Sequence, residues 1–256
     1  MKSRYVFVLA ALALFAAGPL RAETAEQWIA KARAFVGSES ALNAVTSIHF
    51  TGRLETTEKV PSAEDKSKLV DQPLSMPIDL VFQKPYQQRI TITGTQVTET
   101  SGLDGYEAWQ KRVNLLNPSQ WQFNLLDATQ VKRLRANTWE NLCYFAGIEK
   151  KGGTVRLGGD VTVDGLACVK LSFIHADNII FHRYFEKATG RLIKTETESG
   201  GEIREEGEII VKGVRFSRKV INKAANGTVT IITFDQVVLN EQIPAAEFAV
   251  PDLKAN

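Results

Sequence analysis

The sequence predicts an α+β fold that is mainly β: an antiparallel curved sheet forming an incomplete, half-open β-barrel covered by helices. Three observations predict it. Past residue 154, turn signals recur about every 11 to 13 residues, at Asp164-Gly165, Asp177-Asn178, Thr189-Gly190, Gly200-Gly201, Lys212-Gly213 and Asn226-Gly227, a spacing that suits strands joined by short turns. The segments between them alternate or run apolar. Only two long stretches carry helical periodicity, and each opens on a capping box, Thr24 with Gln27 and Asp127 with Gln130. A continuous twisted sheet of so many strands curls toward a barrel or half-barrel.

The elements follow in order. After Thr24, residues Trp28, Ile29, Ala32, Phe35 and Val36 share one helical face, and Gly37 stops the helix. Ser38 caps a second, short helix with Leu42 and Val45 facing inward. Residues 46–58 switch to period two, with Ile48, Phe50, Gly52 and Leu54 on one side of a half-buried strand. Residues 55–76 are polar, mixed in charge and hold Pro61 and Pro73, and so read as a long, mobile surface loop. Strands follow at 78–82, 87–93 and 96–100, and Asp104-Gly105 turns into another at 106–113. The helix over 127–146 buries Val131, Leu134, Thr138, Leu142 and Phe145 along one stripe, placing Lys132, Arg133 and Arg135 toward water. It is expected to act as a lid over the barrel mouth. The meander supplies strands at 154–163, 167–175, 179–186, 191–198, 202–211, 214–223 and 228–239.

Composition bounds the setting. Lys2 and Arg4, an apolar run over 5–17, Gly18-Pro19 and a small residue at Ala22 read as a signal peptide over 1–22, leaving one domain over 23–256. The apolar run is shorter than the roughly 20 residues a membrane span needs. Of 31 basic residues, three lie in the leader with no acid, which leaves 28 basic against 29 acidic in the mature chain. That balance removes the electrostatic case for a nucleic-acid partner. The chain is expected to work in the periplasm or otherwise exported. In such an oxidising compartment Cys143 and Cys168 either pair as a disulfide or remain two buried thiols.

No catalytic motif is present. The sequence lacks G-x-S-x-G, H-E-x-x-H, a phosphate-cradling Gly-rich loop and C-x-x-C. His175 and His182 flank a turn and, with Asp177, sketch a metal site, but two half-exposed strand histidines explain them more simply. The acidic run Glu196 to Glu208 reads as a solvated sheet edge rather than paired catalytic carboxylates. No metal, no cofactor and no enzymatic activity are therefore expected. The apolar excess in the sheet points either to a ligand cavity or to an ordinary core.

Four stretches carry a resemblance: 34–52, a helix followed by a strand; 82–89, Phe-Gln-Lys-Pro-Tyr-Gln-Gln-Arg; 104–109, Asp-Gly-Tyr-Glu-Ala-Trp; and the hairpin 184–194, Tyr-Phe-Glu-Lys-Ala-Thr-Gly-Arg-Leu-Ile-Lys. With the closing Ile243-Pro244 and Phe248-Ala249-Val250-Pro251, the chain resembles the LolA/LolB-like group of periplasmic proteins. The chain departs from the lipoprotein carrier itself in being longer and in having Lys84 where Arg often precedes the Pro. The resemblance implies a carrier or chaperone that holds lipid acyl chains or a lipoprotein anchor in the half-barrel. The candidate ligand-binding residues are Phe50, Phe82, Lys84, Arg89, Trp109, Trp139, Phe145, Phe173 and Phe181. A protein- or lipid-sensing module of the cell envelope, with an envelope protein partner and transient membrane contact, is the alternative. An enzyme using His175 and His182 ranks last.

Overall fold

The computed structural model describes residues 23–252; the leader read over 1–22 lies outside them. Helix α1 (Ala25–Val36) starts on its predicted capping box, with Thr24 and Gln27 bonded to each other's backbone N–H groups. Helix α2 (Glu39–Asn43) is capped by Ser38. The first run of strands is β1 (Ser47–Pro61), β2 (Leu69–Gln83), β3 (Gln87–Thr93), β4 (Val97–Asp104), β5 (Glu107–Asn114) and β6 (Trp121–Leu125). Helix α3 (Ala128–Cys143) then crosses, capped by Asp127 with Gln130 returning the bond. The second run is β7 (Thr154–Val163), β8 (Leu166–Ala176), β9 (Ile179–Glu186), β10 (Leu192–Thr197), β11 (Glu202–Glu206), β12 (Ile209–Val211), β13 (Val214–Phe216), β14 (Lys219–Lys223) and β15 (Val229–Leu239).

One antiparallel sheet of 13 strands has the order β6-β5-β4-β3-β2-β1-β15-β14-β11-β10-β9-β8-β7. Its edges are β6 and β7, so the sheet curves without closing, as the fold class predicts. The two runs meet where the last strand, β15, pairs with the first, β1, from Ile48↔Leu239 to Glu55↔Ile231. A bulge opposite Thr51 and Gly52 leaves Asp235 of β15 as an extra, unpaired residue, and a Cβ on Gly52 would lie 2.1 Å from the Thr233 carbonyl oxygen, so this close approach requires glycine.

Three sequence expectations give way. Residues 55–76 are a strand ribbon, not a loop: β1 and β2 stay in register out to Pro61↔Leu69. Beyond Glu55 and before Ile78 the ribbon has no partner on either side, so it projects from the sheet with both faces in water. Pro73 and Pro77 sit on β2 where its far edge is unpaired, and a missing N–H costs nothing there. Segments 202–211 and 214–223 each break in two, at Gly207 and Ser217. Hairpin β12–β13 thereby leaves the sheet and bridges to Gly37 at the end of α1. Its turn, Lys212-Gly213, has both residues at positive φ, 49° and 78°. The acidic run is interior rather than edge: β10 and β11 lie mid-sheet. Its charges are paired, Glu198 with Arg133, Glu202 with Arg204 and Glu208 with Arg215.

The core sits on the concave side. Ile48, Phe50, Leu80, Phe82, Phe234 and Val237 form one cluster with Leu142 of α3 and Phe216 of β13. Trp28 and Ala32 of α1 pack with Val169, Leu171, Phe173, Phe181 and Phe185 of β8 and β9 in a second. Helix α3 lies across β2, β3, β4 and β5. It carries Val131 into a small cluster with Leu103 and Ala108. The expected lid is tied down by polar bonds as well as packing. Thr138 donates to the buried Gln88 of β3, Arg133 meets Glu198, and Arg33 of α1 donates to the Cys143 and Tyr144 carbonyls at its C-terminal end. Arg135, expected in water, lies instead between the Tyr86 and Tyr106 rings.

Candidate functional site

Between α1, hairpin β12–β13 and the inner face of β9–β11 the concave side holds a cavity of about 720 Å³. Its size lies within the range of small-molecule and lipid pockets. Ala32, Phe35 and Val36 of α1 form one wall, for the helical spacing that Thr24 starts puts them on one stripe. Phe145, Leu192 and Phe216 form the facing apolar wall. Phe145 reaches this position because the chain leaves α3 through Tyr144 and Phe145 at positive φ, 48° and 71°, which turns the ring back under the helix. There it meets Phe185 edge-on, with centroids 5.1 Å apart.

The mouth is polar. Arg215 pairs with Glu208, and Arg191 lies 3.8 Å from Glu186. Glu205 lines the cavity with its side chain exposed to water; desolvation by the surrounding protein atoms pushes its carboxyl up, with the positive charge of Arg183 opposing.

Behind Phe145 lies a buried ion cluster that no sequence signal had marked. Glu140 of α3 accepts from His175 Nε2 at 2.6 Å and pairs with Arg183 of β9 at 2.6 Å. Burial alone would raise the Glu140 carboxyl. The Arg183 charge and the His175 hydrogen bond outweigh it and hold the carboxyl below its ordinary range. The Arg183 guanidinium is also roofed by aromatic rings, 4.7 Å from the Phe145 centroid and 5.1 Å from that of Phe173. Position i, i+4 from Ala136 puts Glu140 on the buried face of α3. A lone Glu on such a face is the signal that would have found it.

The nine candidate residues separate. Phe145 lines the cavity. Phe173 and Phe181 belong to the core cluster beside it, and Phe50 and Phe82 to the cluster that Phe216 joins from the other side. Trp139 lies apart, against Tyr86 at 6.1 Å between centroids. Trp109 and Arg89 face the convex side and serve the C-terminal segment. Trp109 Nε1 donates to the Phe248 carbonyl at 2.9 Å, and Arg89 pairs with Asp79 at 3.1 Å and with Glu247. Lys84 sits in the β2–β3 turn, its backbone N–H bonded to the Thr46 carbonyl. None of these three lines the cavity: period-two alternation places Trp109 and Arg89 on the opposite face from Phe82 and Ala108, and Lys84 lies in the turn beyond the end of β2. Sequence reasoning missed Phe35, Val36, Leu192, Glu205 and Phe216 as residues of the cavity.

Cys143 and Cys168 are both free. They lie on helix and sheet as expected but in separate places, Cys143 against the β1–β2 cluster and Cys168 with Val163 and Tyr184. His175 and His182 point to opposite faces of the sheet. His182 meets Ser172 at 2.8 Å while His175 meets Glu140. Among the described residues no group of three His, Cys, Asp or Glu is placed to hold a metal, and no helix is long and apolar enough to cross a membrane.

No family model and no curated protein matches the chain. Solved structures do. A LolA superfamily protein from Nitrosomonas europaea aligns at TM-score 0.54 and 14% identity, over 90% of this chain and 99% of that one. A domain described as an outer membrane lipoprotein-sorting protein, from Vibrio parahaemolyticus, aligns at TM-score 0.53 and 10% identity, over 88% and 97%. At such identities the likeness is one of fold, and the open 13-stranded sheet closed on its concave side by helices is a LolA-like fold.

Proposed function

We propose that the protein is an exported carrier or chaperone that shields a lipid acyl chain, or the acylated anchor of a lipoprotein, in the cavity between α1 and the concave sheet. The observation that carries this reading is the cavity itself: about 720 Å³, with apolar walls of Ala32, Phe35, Val36, Phe145, Leu192 and Phe216 beside charged residues such as Arg215, Arg191 and Glu205. Each methylene transferred there from water contributes about 0.8 kcal/mol, so a chain of ten gains roughly 8 kcal/mol before ordering costs. No covalent chemistry is needed to hold or release it. The lipoprotein-sorting description of the Vibrio domain supports the same class of ligand.

Native mass spectrometry of protein from a secreting host, before and after delipidation, tests the reading. A co-purifying lipid that is lost on filling the cavity with Leu192→Trp supports it. Lipid-free protein that also fails to take up a fluorescent fatty acid sinks it. N-terminal sequencing of the same exported material tests cleavage after Ala22.

A second reading, an envelope module that docks a partner protein, draws on one observation. Edge strand β6 and the loop before it leave Leu116 at 82%, Leu125 at 67% and Trp121 at 41% exposure. A stoichiometric partner retained by the delipidated protein and lost with Leu116→Glu would favour it.

A further inference from the structure

A second pocket, of about 270 Å³, opens on the outer flank of α3, where that helix meets the β2–β3 turn and the 3₁₀ turn Ile148–Lys151. It shares no lining residue with the cavity described above. Its polar wall is made of Lys132, Arg135, Lys151 and His175, and its flat surfaces of Tyr86 and Trp139. Its lining contains no carboxylate among the described residues, and Glu140, behind His175, is already engaged by His175 and Arg183. Among the described residues none of Lys132, Arg135 and Lys151 has a carboxylate within ion-pair distance, although Arg133, their neighbour in sequence, is paired with Glu198.

Two of the cations, Arg135 and Lys151, lie against aromatic rings. Arg135 is sandwiched, its guanidinium carbon 3.9 Å from the centroids of both Tyr86 and Tyr106. One end of its fork, Nη1, donates to the Gly105 carbonyl, and its side chain also interacts with the Tyr86 hydroxyl. A guanidinium covered on both faces keeps only its edge for a ligand, and that edge matches two oxygens of a tetrahedral or planar anion. Lys151 lies 5.7 Å from the Tyr86 centroid and 5.9 Å from that of Trp139, over the same rings. Helix α3 supplies Lys132 and Arg135 from adjacent turns (i, i+3), which puts both on one side of the pocket.

We propose that this pocket is a binding site for a phosphate-class anion, a phosphate mono- or diester, carried either on a soluble compound or as the head group of a phospholipid. Three positive charges with no carboxylate partner among the described residues match the one or two charges of a phosphate ester better than the single charge of a carboxylate. The pocket is also larger than a bare carboxylate needs, and its two aromatic faces accept the carbon skeleton that an ester carries. Because the walls are distinct, the site stands whether or not the neighbouring cavity holds an acyl chain.

Isothermal titration of the exported chain at low ionic strength tests it, with three probes: inorganic phosphate, glycerol 3-phosphate and dihexanoyl phosphatidylglycerol below its micelle concentration. Saturable binding of at least one probe is expected, weakened tenfold or more by Lys132→Gln combined with Lys151→Gln, and weakened again by added salt. These two lysines make no hydrogen bond that holds the fold, so the double variant should melt with the parent. Arg135→Gln should also lose binding. Equal affinity for glycerol 3-phosphate and the phospholipid identifies a soluble ester, and a tenfold preference for the phospholipid identifies a head group. The proposal is overturned if no probe saturates, or if the double lysine variant binds as tightly as the parent.

Discussion

Glu140 shows how a single side chain can stabilise or destabilise the fold. Its two partners, His175 and Arg183, come from strands on the far half of the sheet, so its removal leaves a guanidinium buried beneath Phe145 without its ion-pair partner. Breaking a buried pair in this way costs about 3 to 5 kcal/mol. Glu140→Ala is therefore expected to lower the urea midpoint sharply at pH 7. Because the folded carboxyl is held below its ordinary value, its contribution is present above about pH 4.3 and lost as pH falls through the folded value. The gap between parent and variant should close in acid. A gap independent of pH would show that packing, not charge, was lost.

His49 on the convex face behaves with the opposite sign. Partial burial would lower the imidazole, but Asp79 at 2.6 Å and Glu241 at 2.7 Å raise it overall. The stabilisation is complete below about pH 6.5 and is lost as pH rises through the folded value. The stability difference between the parent and His49→Gln should thus be larger at pH 5.5 than at pH 8.5. The reverse order in paired urea titrations would refute this account of the site.

At the scale of elements, two sequence signals translate directly into energy. The Asp127 carboxylate accepts from the Thr129 and Gln130 N–H groups at 2.8 and 2.9 Å, so Asp127→Ala should cost about 1 kcal/mol and fray the start of α3. Gly102 of β4 stands opposite Trp109 of β5, and a Cβ there would lie 2.4 Å from the indole ring. Gly102→Ala should then cost about 1 to 3 kcal/mol by overpacking, displacing Trp109 from the Phe248 carbonyl. Unfolding curves give the cost, and a red shift in tryptophan emission reports the displacement. An Ala variant as stable as the parent would mean the indole has another place to go. The ribbon of β1 and β2 was illegible for a related reason. Alternation marks a strand only when one face is buried, and past Leu54 neither face is.

For the whole molecule, α3 joins the two halves of one sheet, through Thr138 to Gln88 on β3 and through Glu140 to β8 and β9. The cysteines take no part in that link. Burial pushes the Cys143 thiol up to about 11 and raises Cys168 as well, so both should be inert to a thiol reagent in the folded protein. Two free thiols per chain should then appear on unfolding without reductant. A count of zero would require the two core clusters to move together.

The sequence by itself determined the fold class, both long helices with their caps, and most strands from 154 onward, because each rests on local chemistry: a capping box, a glycine turn, a period of two. It also determined that large apolar side chains would face a common interior. Only the tertiary structure decided which of those side chains border empty space. Phe82 and Phe145 carry the same chemistry, yet one is packed among Phe50 and its neighbours while the other lines a cavity. The difference lies in how far α1 and β12–β13 stand off the sheet, a matter of curvature and of the breaks at Gly207 and Ser217. The same holds for Trp109 and Arg89. Their residue types suit a ligand site, but strand register turned them to the convex face. Register, unlike periodicity, is set by partners distant in the chain.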